Sequence, residues 1–267
     1  MKKILKRALA GLGGLLLLPI LLLGFLFATR EPPDGPRVDA GPGVVGVETG
    51  GAYAWIVRTQ HGAVLVDAGM DASGAAILAE LKTQGLSVGD VRAVLITHGH
   101  PDHFAAATRF PAATVFVGAA DAAMIRGDRS HYAPFGTLVG ALLPLPPAPR
   151  AMTELSGGEP LEFDGIHFTA VATPGHSPGS MMYLHGPLLF TGDSLMRKGD
   201  GLTTVGWLFS EDPARNLAAR NRSARALAAR VRVGAEGDVV HRALPLRRHV
   251  HPGVGERRED RVREPLR

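Results

Sequence analysis

Short apolar, β-branched runs alternate along the chain with stretches whose apolar positions recur every three or four residues, the periods of strands and helices. Ala52–Arg58 (AYAWIVR) and Ala63–Asp67 (AVLVD) read as two strands joined by a turn over Thr59–Gly62. From Asp71 to Gln84 the pattern is helical: Asp71 or Ser73 can cap it, Ile77, Leu78 and Leu81 form its apolar face, and Gly85 can end it. Val91–Thr97 (VRAVLIT) is short, apolar and β-branched, a buried strand that runs directly into His98. Phe104–Arg109 predicts a short helix, Thr114–Val117 a strand and Ala119–Arg126 another helix. Arg129–Arg150 sets Tyr132, Phe135, Leu138 and Leu142 among prolines and glycines. It reads either as an insertion shaping a substrate pocket or as ordinary packing. Strands resume at Leu161–Phe163, Ile166–Val171, Met181–His185 and Leu188–Thr191. Pro213–Val231 is helical, with Leu217, Ala224, Leu227 and Val231 on one side and arginines on the other. Strands followed by a helix, twice over, predict two αβ halves.

The two ends depart from this pattern. Lys2, Lys3, Lys6 and Arg7 precede an uncharged, leucine-rich run from Ala8 to Thr29. As a helix rising about 1.5 Å per residue, that run is long enough for a hydrocarbon core about 30 Å thick. It has no polar face, and Phe25, Leu26 and Phe27 stand where a cleavage site would want small residues, so an uncleaved anchor is favoured over a cleaved signal. Cations before the span leave the amino terminus in the cytoplasm and the rest outside it. The expectation is a single-pass membrane protein with residues 1–30 as anchor, an extended proline- and glycine-rich linker over 31–44, and an extracytoplasmic domain over 45–241. Residues 242–267 are arginine-rich without apolar periodicity; they read as a disordered basic tail or as the product of a shifted reading frame.

Composition narrows the chemistry. Of 267 residues, 45% are hydrophobic and 20% charged, ordinary values for a globular protein. There are no cysteines, which excludes disulfides, thiolate nucleophiles, sulfur-rich zinc sites and a lipoprotein anchor. The net charge of +4 is concentrated at the two ends, so the charge gives no basic stripe for nucleic acid.

Residues 97–104 read Thr-His-Gly-His-Pro-Asp-His-Phe. Three histidines and an aspartate follow a buried strand within six positions, and the strand fixes the base of the loop. Imidazole and carboxylate suit zinc and related divalent ions, and Gly99 and Pro101 allow the tight turns that converge alternate side chains. Lone histidines at 61, 131, 167 and 185 have no ligand-like company and read as turn or surface residues.

This H-x-H-x-D-H pattern resembles the signature of the metallo-β-lactamase superfamily. Leu65–Gly69 (LVDAG), Thr173–Gly179 (TPGHSPG) and Leu189–Leu195 (LFTGDSL) resemble three further family segments in the same order. The resemblance implies a four-layer αββα sandwich with metals at the rim between two sheets. It assigns His98, His100 and His176 to one metal, Asp102 and His103 to a second, and Asp193 to a bridge between them. His241 is the candidate for a last ligand, with His249 and His251 behind it, although the Gly-His-rich loop usual in the family is missing. If the carboxyl end is aberrant, that second metal site is weakened. Asp67 is either an acceptor that fixes a ligand histidine or a structural residue.

The implied function is hydrolysis by two zinc ions, with a hydroxide held between them as nucleophile and Asp102 orienting it. A small-molecule ester, lactone, thioester or amide would be the substrate. A histidine at position 100 favours hydrolysis, since members with redox di-iron centres place a glutamate there. Lys198 can bind a substrate carboxylate or simply be solvated. Two other readings stay open: a degenerate, metal-poor binding scaffold at the membrane, and an iron-dependent oxygenase on the same fold.

Overall fold

The computed structural model describes residues 35–130, 144–198, 201–204, 209–219, 221, 238–240 and 243–245. The anchor over 1–30, the aromatic part of the proposed insertion, His131, His241, His249 and His251 lie outside the described residues. Among the described residues, no helix is long and apolar enough to cross a membrane.

Seven strands form the larger sheet in chain order: β1 (Arg37–Gly41), β2 (Val44–Glu48), β3 (Tyr53–Arg58), β4 (Ala63–Val66), β5 (Val91–Leu95), β6 (Thr114–Gly118) and β7 (Thr153–Leu155). The first four run antiparallel as hairpins, and β4 to β7 run parallel. Helix α1 (Ala75–Thr83) supplies the crossover between β4 and β5, as parallel pairing requires. A second sheet, all antiparallel, is built from β8 (Pro160–Phe163), β9 (Ile166–Ala172), β10 (Met181–His185) and β11 (Leu188–Phe190), in the order β11-β10-β9-β8.

Alternation along the strands creates two cores. Tyr53, Trp55 and Val57 of β3, with Val64, Val66, Ala93 and Leu95, meet Phe168, Ala170, Tyr183 and Phe190 between the sheets. Trp55 lies edge-on to Phe190 at 5.9 Å. Ala54 and Ile56 point the other way, onto Ile77 and Leu81 of α1 and onto Phe104. A small cluster of Met182, Leu189 and Leu195 covers the outer face of the second sheet. Residues 213–219 and 221 are helical, as the pattern over 213–231 predicts; the remainder of that range lies outside the described residues.

Two expectations need correction. The segment 31–44, read as a linker, contributes edge strand β1. Its backbone pairs with β2, and Arg37 reaches Glu80 of α1 with Nε–Oε2 at 3.0 Å. Among the described residues, Pro36 directly precedes the strand and Pro42 sits in the turn that leaves it, where no ladder donor is needed. The helices expected over Phe104–Arg109 and Ala119–Arg126 are each split. The first becomes α2 (Pro101–Phe104) and a 3-10 turn (Ala107–Arg109); the second becomes a 3-10 turn (Ala119–Asp121) and α3 (Ala122–Ile125). Towards the carboxyl end, Asp238–Val240 is a strand paired antiparallel with Ala243–Pro245, from the segment read as a tail.

Candidate metal centre

Every segment with ligand-type side chains leaves a strand at one edge of the two sheets. Asp67 follows β4, the loop from Thr97 to Phe104 follows β5, and Asp121 follows β6. Those three strands are parallel, so their carboxyl ends share one rim, where open α/β sheets bind ligands. The second sheet contributes His176 from the β9–β10 connection and Asp193 from the 3-10 turn after β11. The sheets are tied together at this rim: Met181 N–H donates to Thr97 O at 2.7 Å, and the Tyr183 hydroxyl donates to Ile96 O at 2.9 Å.

The histidine loop has a rigid base. The Asp67 carboxylate accepts from Thr97 N at 2.7 Å and from the Thr97 hydroxyl at 2.8 Å. The Asp67 backbone takes φ 61°, a left-handed conformation in which a short polar side chain is better tolerated than most. The turn that presents Asp193 depends on Gly192, at φ 49°: a Cβ there would lie 2.4 Å from Thr97 Oγ1. Only glycine lets the two loops meet at this separation.

His98 and His176 approach with Nε2 atoms 3.0 Å apart, and His100 Nδ1 lies 3.0 Å from His176 Nε2. His98, Asp102 and His103 form a second group, with ligand atoms within 4.8 Å of one another. His103 Nδ1 lies 2.7 Å from Asp67 Oδ2, while its Nε2 faces Asp193 Oδ1 at 3.6 Å and Asp102 Oδ2 at 3.7 Å. Asp193 Oδ2 is also 3.9 Å from His176 Nε2, so this carboxylate stands between the two groups. The structure therefore brings together all six side chains predicted in the described region. His61, His167 and His185 take no part: His185 Nδ1 donates to His167 O and stacks on Phe168, His167 pairs with Glu162, and the His61 carbonyl accepts from Arg92.

The donor set fits divalent ions. Tetrahedral zinc with Zn–N near 2.0–2.1 Å separates its ligands by about 3.3 Å, close to the observed nitrogen spacing. Converging imidazole nitrogens cannot all satisfy one another as donors and acceptors. His103 Nε2 is buried without a hydrogen-bond partner among the described residues, yet points at two carboxylates. A cation between them satisfies all three groups.

Electrostatics divides the cluster. Burial pushes His98 well below the usual histidine range, with the neighbouring histidines adding to the effect. Burial and His176 bring His100 down to about 3 against the pull of Asp102 and Asp193. Burial lowers His176 to about 4, Asp193 opposing. Burial works the same way on His103, but Asp67, Asp102 and Asp193 outweigh it and raise it to about 10. The site thus combines imidazoles with available lone pairs and one imidazolium held by carboxylates.

Asp121 was not among the residues predicted from sequence. Its carboxylate is buried and accepts from Gly99 N, Gly179 N and the Ser177 hydroxyl. Burial raises its pKa, and the three donors pull it back. The signal was present, since Asp121 carries the one charge in the run Thr114–Ile125 (TVFVGAADAAMI).

Fold and site together define an α/β protein with a histidine–aspartate donor cluster at the rim between two sheets. The pattern that describes the Metallo-beta-lactamase superfamily matches residues 47–235, most of the chain, and the chain belongs to that family. It is 30% identical over 171 residues to a hydroxyacylglutathione hydrolase of Albidiferax ferrireducens, covering 62% of this chain and 54% of that one. It is 32% identical over 184 residues to the human metallo-beta-lactamase domain-containing protein 1, covering 65% and 58%. The chain thus spans somewhat over half the length of these relatives. Among solved structures, a metallo-beta-lactamase of Cronobacter sakazakii superposes with a TM-score of 0.58 at 25% identity, over 81% of this chain and 75% of that one. A metallo-beta-lactamase from Legionella gormanii superposes at 0.56 and 20% identity, over 75% and 78%; this second likeness concerns the fold alone.

Proposed function

We propose that this chain is a two-zinc hydrolase that cleaves an acyl thioester of a small thiol. The carrying observation is the pair of donor groups meeting on His98 with Asp193 between them. In this reading His98, His100 and His176 would hold one ion and Asp102 and His103 the other, with the Asp193 carboxylate standing between the two groups. His241, the expected last ligand, lies outside the described residues. Bound there, paired zinc ions supply Lewis acidity and lower the pKa of water towards neutrality. The chain's own groups do the rest. His98, His100 and His176 offer lone pairs at neutral pH with no proton to displace. Asp67 accepts the Nδ1 proton of His103 and so directs Nε2 into the site. Asp102, with 40% of its side chain exposed, orients the attacking water by accepting its hydrogen.

The thioester class is supported by a named relative: the sequence is 30% identical over 171 residues to the hydroxyacylglutathione hydrolase of Albidiferax ferrireducens. The test is a panel of hydroxyacylglutathione, lactone, aryl ester and β-lactam with the purified chain, zinc-loaded and chelator-treated. Expected are about two zinc ions per chain and zinc-dependent release of free thiol. Preferential β-lactam opening would overturn the substrate class. One iron per chain would point to an oxygenase, and no metal to a binding scaffold. The proposal includes a single-pass anchor over residues 1–30 with the site outside the cytoplasm. Protease added to intact cells should then remove the domain, and full protection would contradict that placement.

A further inference from the structure

The loops bearing His98, His100 and His176 come from different sheets, and their histidines must hold a fixed spacing to share an ion. Asp121, fully buried, is bonded to both loops. Its Oδ2 accepts from Gly99 N at 2.8 Å and from Ser177 Oγ at 2.5 Å, and its Oδ1 accepts from Gly179 N at 2.6 Å. Gly99 is the peptide between His98 and His100, so holding it sets the directions in which the two rings diverge from the backbone. Ser177 is the residue after His176. Resting on the metal-site reading above, we propose that Asp121 is a positioning residue whose carboxylate sets the span between the two histidine loops and hence the affinity of the first metal site.

Two further observations point the same way. Asp121 occupies the N-cap position of α3, where an aspartate ordinarily accepts from its own helix, yet it makes no side-chain capping bond. Its acceptor oxygens are committed to the loops. The backbones also meet too closely for slack. A Cβ on Gly179 would stand 2.5 Å from Asp121 N, and one on Gly118 would stand 1.9 Å from Gly179 O. The Met181–Thr97 bond holds the base of the same two loops. Asp121 supplies a second anchor beyond it, and two anchors define a separation where one leaves a hinge.

The experiment compares wild type, Asp121→Ala, Asp121→Asn and Ser177→Ala as full-length chains. It uses zinc affinity by chelator competition, hydrogen exchange of peptides covering 97–104 and 173–180, and the split of kcat from KM. Asp121→Ala is expected to lower first-site zinc affinity about 10–100-fold, the usual cost of removing an outer partner. Exchange should accelerate in both loops together, with β4 and β5 still protected, and kcat should fall with KM little changed. Asp121→Asn keeps one acceptor oxygen and should fall between, with Ser177→Ala the mildest; these two carry the test if the alanine variant does not fold. Unchanged zinc affinity, or loosening of one loop alone, would overturn the proposal. A wild-type chain that binds no zinc would instead remove the metal reading, and the shared exchange response of the two loops would still decide whether Asp121 couples them.

Discussion

His98, His100 and His176 meet through ring nitrogens 3.0 Å apart in a pocket that keeps them neutral, whereas His103, a few ångströms away, sits among Asp67, Asp102 and Asp193 and is held charged to about pH 10. Burial is shared by both groups. What differs is the company: the first set faces mainly other imidazoles, and the second faces carboxylates. A cation entering the first set finds lone pairs ready, while one entering the second must displace the His103 proton. On the proposed two-ion reading, metal binding at the second set would therefore be coupled to proton release, and at the first it would not.

The most disruptive way to break this division is His98→Ala, because His98 belongs to both groups. Zinc content is expected to drop below one ion per chain, with hydrolysis at background; retained activity would sink the two-group picture. His100→Ala should also abolish hydrolysis while leaving the His103 group its ligands. Next in size is Asp67→Asn, which removes a partner from a buried pair whose side chains are each 4% exposed. A loss of about 3 kcal/mol in unfolding free energy is expected. The variant should also release fewer protons than wild type on binding zinc at pH 8, measured by calorimetry in buffers of different ionisation enthalpy.

Stability of the chelator-treated protein against pH sharpens the comparison further. His103 has a raised folded pKa, so its contribution is complete below about 6.5 and is lost as pH climbs towards about 10. His100 and His176 have depressed values, so the unfolded chain takes up their protons first, and stability falls as pH drops below about 6.5 towards about 4 and then about 3. A maximum near pH 6.5 is expected in urea titrations, and Asp67→Asn should flatten its alkaline side. The smallest effect is predicted for Arg92→Ala, which loses a half-exposed pair with Asp164 at 3.1 Å far from this chemistry. It should cost about 0.2–1 kcal/mol and leave zinc content unchanged.

The parts legible in the sequence were those encoded locally. The loop 97–104 carries four ligand-type side chains within six positions, and the strand before it announces itself by composition. Tyr53–Arg58, Ile166–Ala172 and Met181–His185 were visible through their apolar runs. Strand β1 was not, because its own residues look like a linker and the backbone of β2 makes it a strand. Glu80, a charged residue outside the apolar face named for that helix, is buried, its carboxylate matched by Arg37 from β1. Thr153–Leu155 is too short to show a period and is defined by pairing beside β6.

From the order of residues alone came the identity of the donors, the absence of thiol chemistry and the family to which they belong, since each follows from side-chain type and short-range spacing. Tertiary structure decided which donors share a point, which histidine carries charge, and that Asp121 joins two loops whose histidines, His98 and His176, lie 78 positions apart. Distances between strands and the dielectric around a ring arise only when the sheets close on one another, and no local pattern contains them.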